Sequence, residues 1–489
     1  MAILAVDAGT TGVTALLVDA SGSVLARGYR EFEQHFPQPG WVEHHPEQIW
    51  QAVVSSVSDA LSQAGFAAAE ITAIGITNQR ETVAVWDRET LSSPTPAIVW
   101  QDRRTSQLLT DAKFTAARDW VREATGLPLD PYFSSSKLLW IKRNLPEVWE
   151  GVKSRRYAVG TIDSYLAARI SGGRSHITDA TNASRTQLFN LHTLEWDAKL
   201  LELFEVPLAA LPSVVANQGS LAHSDPAAFL GIDAPITGMA GDQHAALFGQ
   251  LAFEPGDAKC TYGTGAFLLY NTGAKPILTD PELIATLAWV NPDGSPSYAL
   301  EGSVFVAGAA LQWLRDGLEM VEQAADVEGL ALTVSDSAGV CVVPAFTGLG
   351  APFWDSEVRG SILGLDRGTT KAHIARATLE SLAFQVRALI ESMTIAVGSG
   401  VTRLKVDGGV TRSSLLMQLQ ANALGVPIDV PENLETTGLG VAYLAGLGAG
   451  IWKSRSDLHQ RIAARFEPSE NTDAGYARWL RAVAATRSF

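Results

Sequence analysis

A short apolar run, a Gly/Thr-rich turn and a second β-branched run follow one another at residues 3–19 and again at residues 257–273. The first copy reads "ILAVD", "AGTTG", "VTALLVD"; the second reads "DAKCTYGTGAFLLYNTG". Runs of this kind between glycine turns read as strands. A strand–turn–strand unit that opens the chain and returns past its midpoint restricts the fold to one built from two related halves.

The flanking segments agree. "VLARGYREF" (24–32) continues the opening as a third strand. "HPEQIWQAVVSSVSDALSQAG" (45–65) reads as a helix, with Pro46 near its start and Gly65 past its end. "ITAIGIT" (71–77) is the next strand. Residues 401–432 read as strand, glycine turn, helix, strand. Strands alternating with helices in both halves predict an α/β chain of two related domains, 1–250 and 251–489. At 489 residues the chain is too long for one ordinary core. A ligand cleft is expected between the halves.

Composition excludes several classes. The net charge is −15, with 46% hydrophobic and 18% charged residues. An acidic surface argues against nucleic acid and anionic membranes as partners. Cys260 and Cys341 form no CxxC pair, which fits reduced thiols in the cytoplasm. "MAILAVDAGTTG" has no basic region of a targeting segment, and "GVAYLAGLGAGIW" (440–452) is too short and glycine-rich to span a bilayer.

Three glycine turns could hold phosphate: Asp7 to Gly12, Thr261 to Gly265, and Asp407 to Val410. Glycines let backbone N–H groups converge on an anion, and threonine hydroxyls add donors. Asp7, at a strand end, suits Mg²⁺ held through water. The P-loop pattern G-x-x-x-x-G-K-[ST], the G-x-G-x-x-G fingerprint and H-E-x-x-H are all absent.

The remaining chemistry-bearing stretch is "GMAGDQHAALFG" (238–249). A carboxylate among small apolar residues needs a partner or a task. Asp242 reads either as the N-cap of a following helix or as a catalytic acid–base group, and could do both. His244 reads as a packed histidine, and His44 and His45 as surface or helix-start residues. Trp41 and Trp140 read as core, and Cys260 as a small buried strand residue.

The order "DAGTT", "YGTG", "DGG" resembles the two-domain, ribonuclease-H-like ATPase fold shared by actin, the heat-shock ATPases and sugar kinases. The chain is similar, from about residue 3 to about residue 452, to the FGGY carbohydrate kinases. Two long patterns carry the resemblance: "YFSSSKLLWIKRN" (132–144) and "GSILGLDRGTTKAHIARATLE" (360–380). "PGWVEHHPEQIW" (39–50), "NQRETVAVWD" (78–87), "VWQDRR" (99–104), "GDQHAALFG" (241–249) and "EGSVFVAGAALQWLRD" (301–316) point to its glycerol-phosphorylating members.

The resemblance implies ATP-dependent phosphorylation of glycerol to sn-glycerol 3-phosphate. It implies a polyol pocket of Arg80, Glu81, Trp100, Tyr132, Asp242, Gln243 and Phe267, with Asp242 as general base. Thr10, Thr11, Gly12, Thr264 and Gly265 would cradle the phosphates. Gly308, Gln312, Gly409 and Ser413 would line the nucleotide, and Asp7 and Asp242 would hold Mg²⁺. It further implies a homodimer or homotetramer. Thr14 and Ser413 depart from the family pattern, which often has an arginine and an asparagine there. Residues 219–238 carry no lysine or arginine and few glycines, so inhibition by a sugar bisphosphate is expected to be absent or weak. Two other functions stay open: phosphorylation of a pentulose, another sugar or a longer polyol, and an actin-like or chaperone-like nucleotide switch.

Overall fold

The computed structural model describes residues 1–279, 283–355 and 357–489. Two sheets carry the architecture. The first has the strand order Gln218–His223, Pro235–Gly241, Ile71–Asn78, Ala2–Ala8, Gly12–Val18, Val24–Glu31. The second has the order Ile284–Val290, Pro296–Val304, Ala266–Gly273, Ala258–Tyr262, Leu404–Asp407, Ile428–Pro431, Ile462–Phe466.

Both sheets repeat one pattern of directions. From Ala2–Ala8, two antiparallel strands follow on one side; on the other, two parallel strands end in an antiparallel one. The same sequence of directions surrounds Ala258–Tyr262. The repeat in the sequence is therefore a repeat of topology, to which the second sheet adds Ile284–Val290 at one edge.

The elements form where their residues favour them. The helix Pro46–Ala64 begins with proline and stops at Gly65, whose φ of 68° is left-handed. It buries Ile49, Val53, Val57 and Ala60, a helical spacing, in one cluster with Leu4, Val6 and Leu17 of the first sheet. The helix Lys371–Val397 buries Ala375, Leu379, Leu382, Val386, Leu389 and Met393 at alternating spacings of four and three. That stripe joins the core of the second sheet.

Two helices, Asp242–Gly249 and Thr436–Gly448, lie between the sheets. Ala245 and Leu247 from one, and Leu439 and Val441 from the other, share a buried cluster with Ile3, Ala5 and Leu16 of the first sheet and Leu269 and Trp289 of the second. Glycine permits the contact. A Cβ on Gly440 would stand 1.8 Å from the Ala245 carbonyl oxygen, and one on Gly249 would stand 2.0 Å from that of Thr436. The helix that follows Pro235–Gly241 is thus pinned backbone to backbone.

The carboxyl ends of the parallel strands carry the residues of interest, three in the first sheet and two in the second. These ends are where open α/β sheets bind ligands. Asp7, Asn78 and Gly241 lie at three of them, and Tyr262 and Asp407 at two more.

Candidate active site

The site grows from the first residue of the helix Asp242–Gly249. The cap position falls on Gly241, so Asp242 is not the N-cap but the first helical residue. A Cβ on Gly241 would meet Arg80 Cγ at 2.7 Å, so glycine here lets the arginine stem pass. Arg80 Nε lies 3.0 Å from Asp242 Oδ1, and the Gln243 backbone N–H donates to the same oxygen at 2.6 Å. Asp242 Oδ2 has no protein partner among the described residues. The Asp242 side chain keeps 28% of its surface exposed, against 3% for Arg80.

Arg80 is held from behind. Its two terminal nitrogens donate to Glu301, at 2.5 Å to Oε2 and 3.0 Å to Oε1. Arg185 Nη2 donates to Glu301 Oε1 at 3.3 Å, and Arg185 Nε to Glu81 Oε1 at 2.6 Å. These four side chains are almost wholly buried. Burial alone would raise the Glu301 carboxyl, but the guanidiniums of Arg185 and Arg80 hold it well below the usual carboxylate range. Burial raises the Glu81 carboxyl against the pull of Arg185 and Arg80. Glu81 itself has a φ of 59°, a left-handed backbone that a side-chain-bearing residue rarely adopts and that clusters at functional sites.

The aromatic residues form a wall beside this network. The Trp100 and Tyr132 rings meet edge to face at 5.6 Å, and the Arg185 guanidinium lies 5.7 Å from the Tyr132 ring centre. Trp100 Nε1 donates to Thr10 Oγ1 at 3.0 Å, which ties the wall to the first glycine turn. Gln79 Nε2 donates to the Gly9 carbonyl at 3.1 Å and supports the same turn. On the other side, Lys259 Nζ donates to Gln243 Oε1, to Thr261 Oγ1 at 2.9 Å and to the Phe267 carbonyl at 3.5 Å. The seven residues expected to form a polyol pocket are thus joined through short contacts. Lys137 braces the Tyr132 loop by donating to the carbonyls of Pro131, Tyr132 and Phe133, at 2.6, 2.7 and 3.1 Å.

The phosphate-turn residues fall into two groups. Gly9, Thr10 and Thr11 form the first turn, whereas Gly12 is a buried strand residue against the Tyr29 ring. Thr264 is exposed at the tip of the second turn. Its carbonyl accepts from Ala307 N at 2.8 Å, and the Gly263 carbonyl accepts from Gly308 N at 2.9 Å. The helix Gly308–Asp316 therefore starts on the second turn, with Gln312 exposed on it. Gly408, at φ 91°, packs so closely that a Cβ would meet the Tyr262 carbonyl at 2.3 Å, while Gly409 faces open space. The Ser413 hydroxyl caps the helix Ser414–Leu424 by accepting from Leu416 N at 3.2 Å.

Asp7 differs from the paired carboxylates. Its Oδ1 is buried without a hydrogen-bond partner. Burial, then the charges of Asp242 and Glu435, raise its carboxyl well above the ordinary value, with Arg27 opposing. Among the described residues no cluster of three or more His, Cys, Asp or Glu side chains could hold a metal ion.

Some expectations need correction. His44 is not a surface residue: it is fully buried, bonded to Gln34 at 2.7 Å and to Gln79 at 3.2 Å. Trp41 and Trp140 are half-buried, and they flank the Arg104 guanidinium at 3.7 and 4.8 Å. Sequence reasoning missed Arg185, Glu301 and Lys259. Lys259 and Glu301 each had one signal, a lone charge inside an apolar strand run, Ala258–Tyr262 and Pro296–Val304; Arg185 had none. His244 is buried as expected, its Nε2 3.2 Å from Thr286 Oγ1, and burial with the Arg80 charge keeps it neutral.

A sheet duplicated in topology, with a glycine turn after the first strand of each copy and charged side chains from both halves meeting at Arg80, is the architecture of the two-domain sugar kinases. The chain belongs to the FGGY family of carbohydrate kinases, whose N-terminal domain matches residues 2–249 and whose C-terminal domain matches residues 258–449. It is 48% identical over 492 aligned residues to a protein named glycerol kinase from Geobacillus kaustophilus, covering 100% of this chain and 99% of that one. It is 49% identical to a protein of the same name from Aromatoleum aromaticum, with the same coverage. The crystal structure of Plasmodium falciparum glycerol kinase with ADP matches at a TM-score of 0.92 and 35% identity, over 99% of this chain and 98% of that one. A xylulose kinase from Lactobacillus acidophilus, 23% identical, shares the fold at a TM-score of 0.88, over 100% of this chain and 98% of that one. Among the described residues no helix is long and apolar enough to cross a membrane.

Proposed function

We propose that this chain transfers the γ-phosphoryl group of ATP to a terminal hydroxyl of glycerol, giving sn-glycerol 3-phosphate and ADP. The observation that carries this reading is the full-length identity, near half of all positions, to proteins named glycerol kinase.

In this reading Asp242 is the general base. Arg80 and the Gln243 N–H occupy Oδ1, so Oδ2 takes the proton as the hydroxyl oxygen attacks phosphorus. The helix N-terminus favours the carboxylate form. Glu301 keeps Arg80 from swinging away, so the base is oriented before substrate arrives. Glu81, Tyr132 and Gln243 supply hydrogen bonds to the hydroxyls, and Trp100 and Phe267 face the carbon chain. The backbone N–H groups of residues 9–12, 264 and 265, with the hydroxyls of Thr10, Thr11 and Thr264, cradle the phosphates. Gly308, Gln312, Gly409 and Ser413 line the nucleotide.

The residues present fit Mg²⁺. Asp7 Oδ1 is buried without a partner and faces the charge of Asp242, an arrangement a divalent cation relieves. Asp7 and Asp242 would hold it through water. Mg²⁺ supplies neutralisation of charge on the transferring group. The reading also divides the chain near residue 250 into two domains that close on substrate, and places it in the cytoplasm as a homodimer or homotetramer.

An assay of ADP release tests the function. Purified protein with Mg-ATP is offered glycerol, dihydroxyacetone, erythritol, xylulose or no acceptor. Fastest release with glycerol is expected. A five-carbon sugar as best acceptor would overturn the pocket reading, and equal release without acceptor would overturn the kinase reading.

A further inference from the structure

Lys259 is a buried cation that the proposed mechanism leaves unused. It sits in the strand Ala258–Tyr262, at the entry to the second glycine turn, with no exposed surface. A buried ammonium is costly unless its donors are filled and its charge is opposed. Three oxygens fill its donors: Gln243 Oε1, Thr261 Oγ1 and the Phe267 carbonyl. Burial pushes its proton affinity down, while the carboxylates of Asp407 and Asp242 pull it back up.

The consequence lies in the geometry of the Gln243 amide. An ammonium has donors and no acceptor, so only the amide oxygen can face it. Gln243 Nε2 must then point the other way. It has no protein partner among the described residues, and Gln243 is half-buried beside Asp242. Gln243 and Phe267 both belong to the expected polyol pocket, and both are tied to the same nitrogen.

We propose that Lys259 is a positioning residue for the acceptor: by fixing Gln243 Oε1 and the Phe267 backbone, it turns the Gln243 amide so that the pocket meets two N–H donors and no acceptor. The glycerol hydroxyl at that point is therefore recognised through its oxygen lone pairs. Its own proton is left for another group to accept. Lys259 also joins the two halves, since Gln243 precedes the midpoint of the chain and Lys259 follows it. The proposal rests on the glycerol-phosphorylating reading of the site.

The test is a double-mutant cycle on glycerol KM with Lys259→Met, Gln243→Ala and the double variant. The expected result is a roughly tenfold or larger rise in KM for Lys259→Met that disappears in the Gln243→Ala background, because the amide it orients is gone. Additive effects, or a Lys259→Met KM within about twofold of wild type, would overturn the proposal. Gln243→Glu keeps the test alive if Lys259→Met does not fold. Glutamate preserves an oxygen for Lys259 but offers the substrate no donor, so the melting temperature should hold while glycerol KM rises. An unchanged KM in Gln243→Glu would mean that the amide oxygen faces substrate, against the proposal. The wild-type arm separates the two levels. If wild-type ADP release does not depend on glycerol, the function and this proposal fall together; if it does and the cycle is additive, this proposal alone falls.

Discussion

Arg80 and Glu301, 221 residues apart in the chain, meet in a two-pronged ion pair beneath the candidate base, with Glu301 drawn from a strand of the second sheet and Arg80 from the loop that follows Ile71–Asn78 of the first. Removing one member of a buried pair strands the other charge, at a cost of roughly 3–5 kcal/mol. Glu301→Gln leaves Arg80 and Arg185 without their shared carboxylate. We expect a lower thermal midpoint and a fall in kcat/KM for glycerol, since Arg80 also orients Asp242. A variant with wild-type midpoint and kinetics would show that the pair does neither.

The helix crossing predicts a second outcome. Gly440→Ala places a Cβ 1.8 Å from the Ala245 carbonyl, where only backbone stands to move. Overpacking of this kind costs about 1–3 kcal/mol or more. Because the displaced helix begins with Asp242, kcat should fall together with the midpoint. Gly329→Ala is the control: it lies inside the helix Asp326–Ala331 with open space around it, and should be neutral or stabilising by up to about 1 kcal/mol. Melting curves and initial rates of both variants decide the matter.

One buried and one half-buried histidine set a pH dependence. Burial lowers His44 to about 4, with His35 adding to the effect. Burial also lowers His176 to about 4; its bond to the Val159 carbonyl opposes that and the Arg88 charge assists it. Between that value and the ordinary one near 6.5, the unfolded chain binds more protons than the folded one. Stability from these groups is therefore present above about pH 6.5 and lost as pH falls toward 4, by about 1.4 kcal/mol per pH unit for each. His176→Gln should make the loss shallower by one proton. Parallel stability curves for variant and wild type over pH 4–7 would contradict this.

The surface strand Gln218–His223 and the loop after it should be silent toward sugar bisphosphates. Their charged groups include Asp225, which pairs with Arg174, and Asp233, which meets His223 at 2.8 Å. A phosphate would meet carboxylates there. Millimolar fructose 1,6-bisphosphate should leave the glycerol-dependent rate unchanged, and a graded inhibition curve would refute the expectation.

Much of the scaffold was legible because it depends on local signals. The strands Ala2–Ala8 and Gly12–Val18 lie where β-branched runs meet glycine, and the helix Pro46–Ala64 starts and stops at its proline and glycine. The duplicated turns gave the fold class because two sheets of one topology need two such starts. Arg185 and Glu301 were not assignable because a buried charge is recognised by its partner, and their partners come from distant segments; Lys259 stood out as a lone cation in a strand, but its partner Gln243 is brought to it only by the fold. His44 was misplaced because the short strand Glu43–His44 pairs with Ala97–Ile98, a contact that no local pattern encodes. The N-cap reading of Asp242 failed by one residue, since Gly241 takes the cap and frees the carboxylate for Arg80.

The central claim is that Asp242 takes the proton of the attacking glycerol hydroxyl. Asp242→Asn, at saturating glycerol and Mg-ATP, keeps the shape of the side chain and removes its basicity. The account predicts a kcat lower by roughly 10²-fold or more, the usual weight of a general base, with the protein still folded and still binding glycerol in calorimetry. A kcat within tenfold of wild type would contradict it.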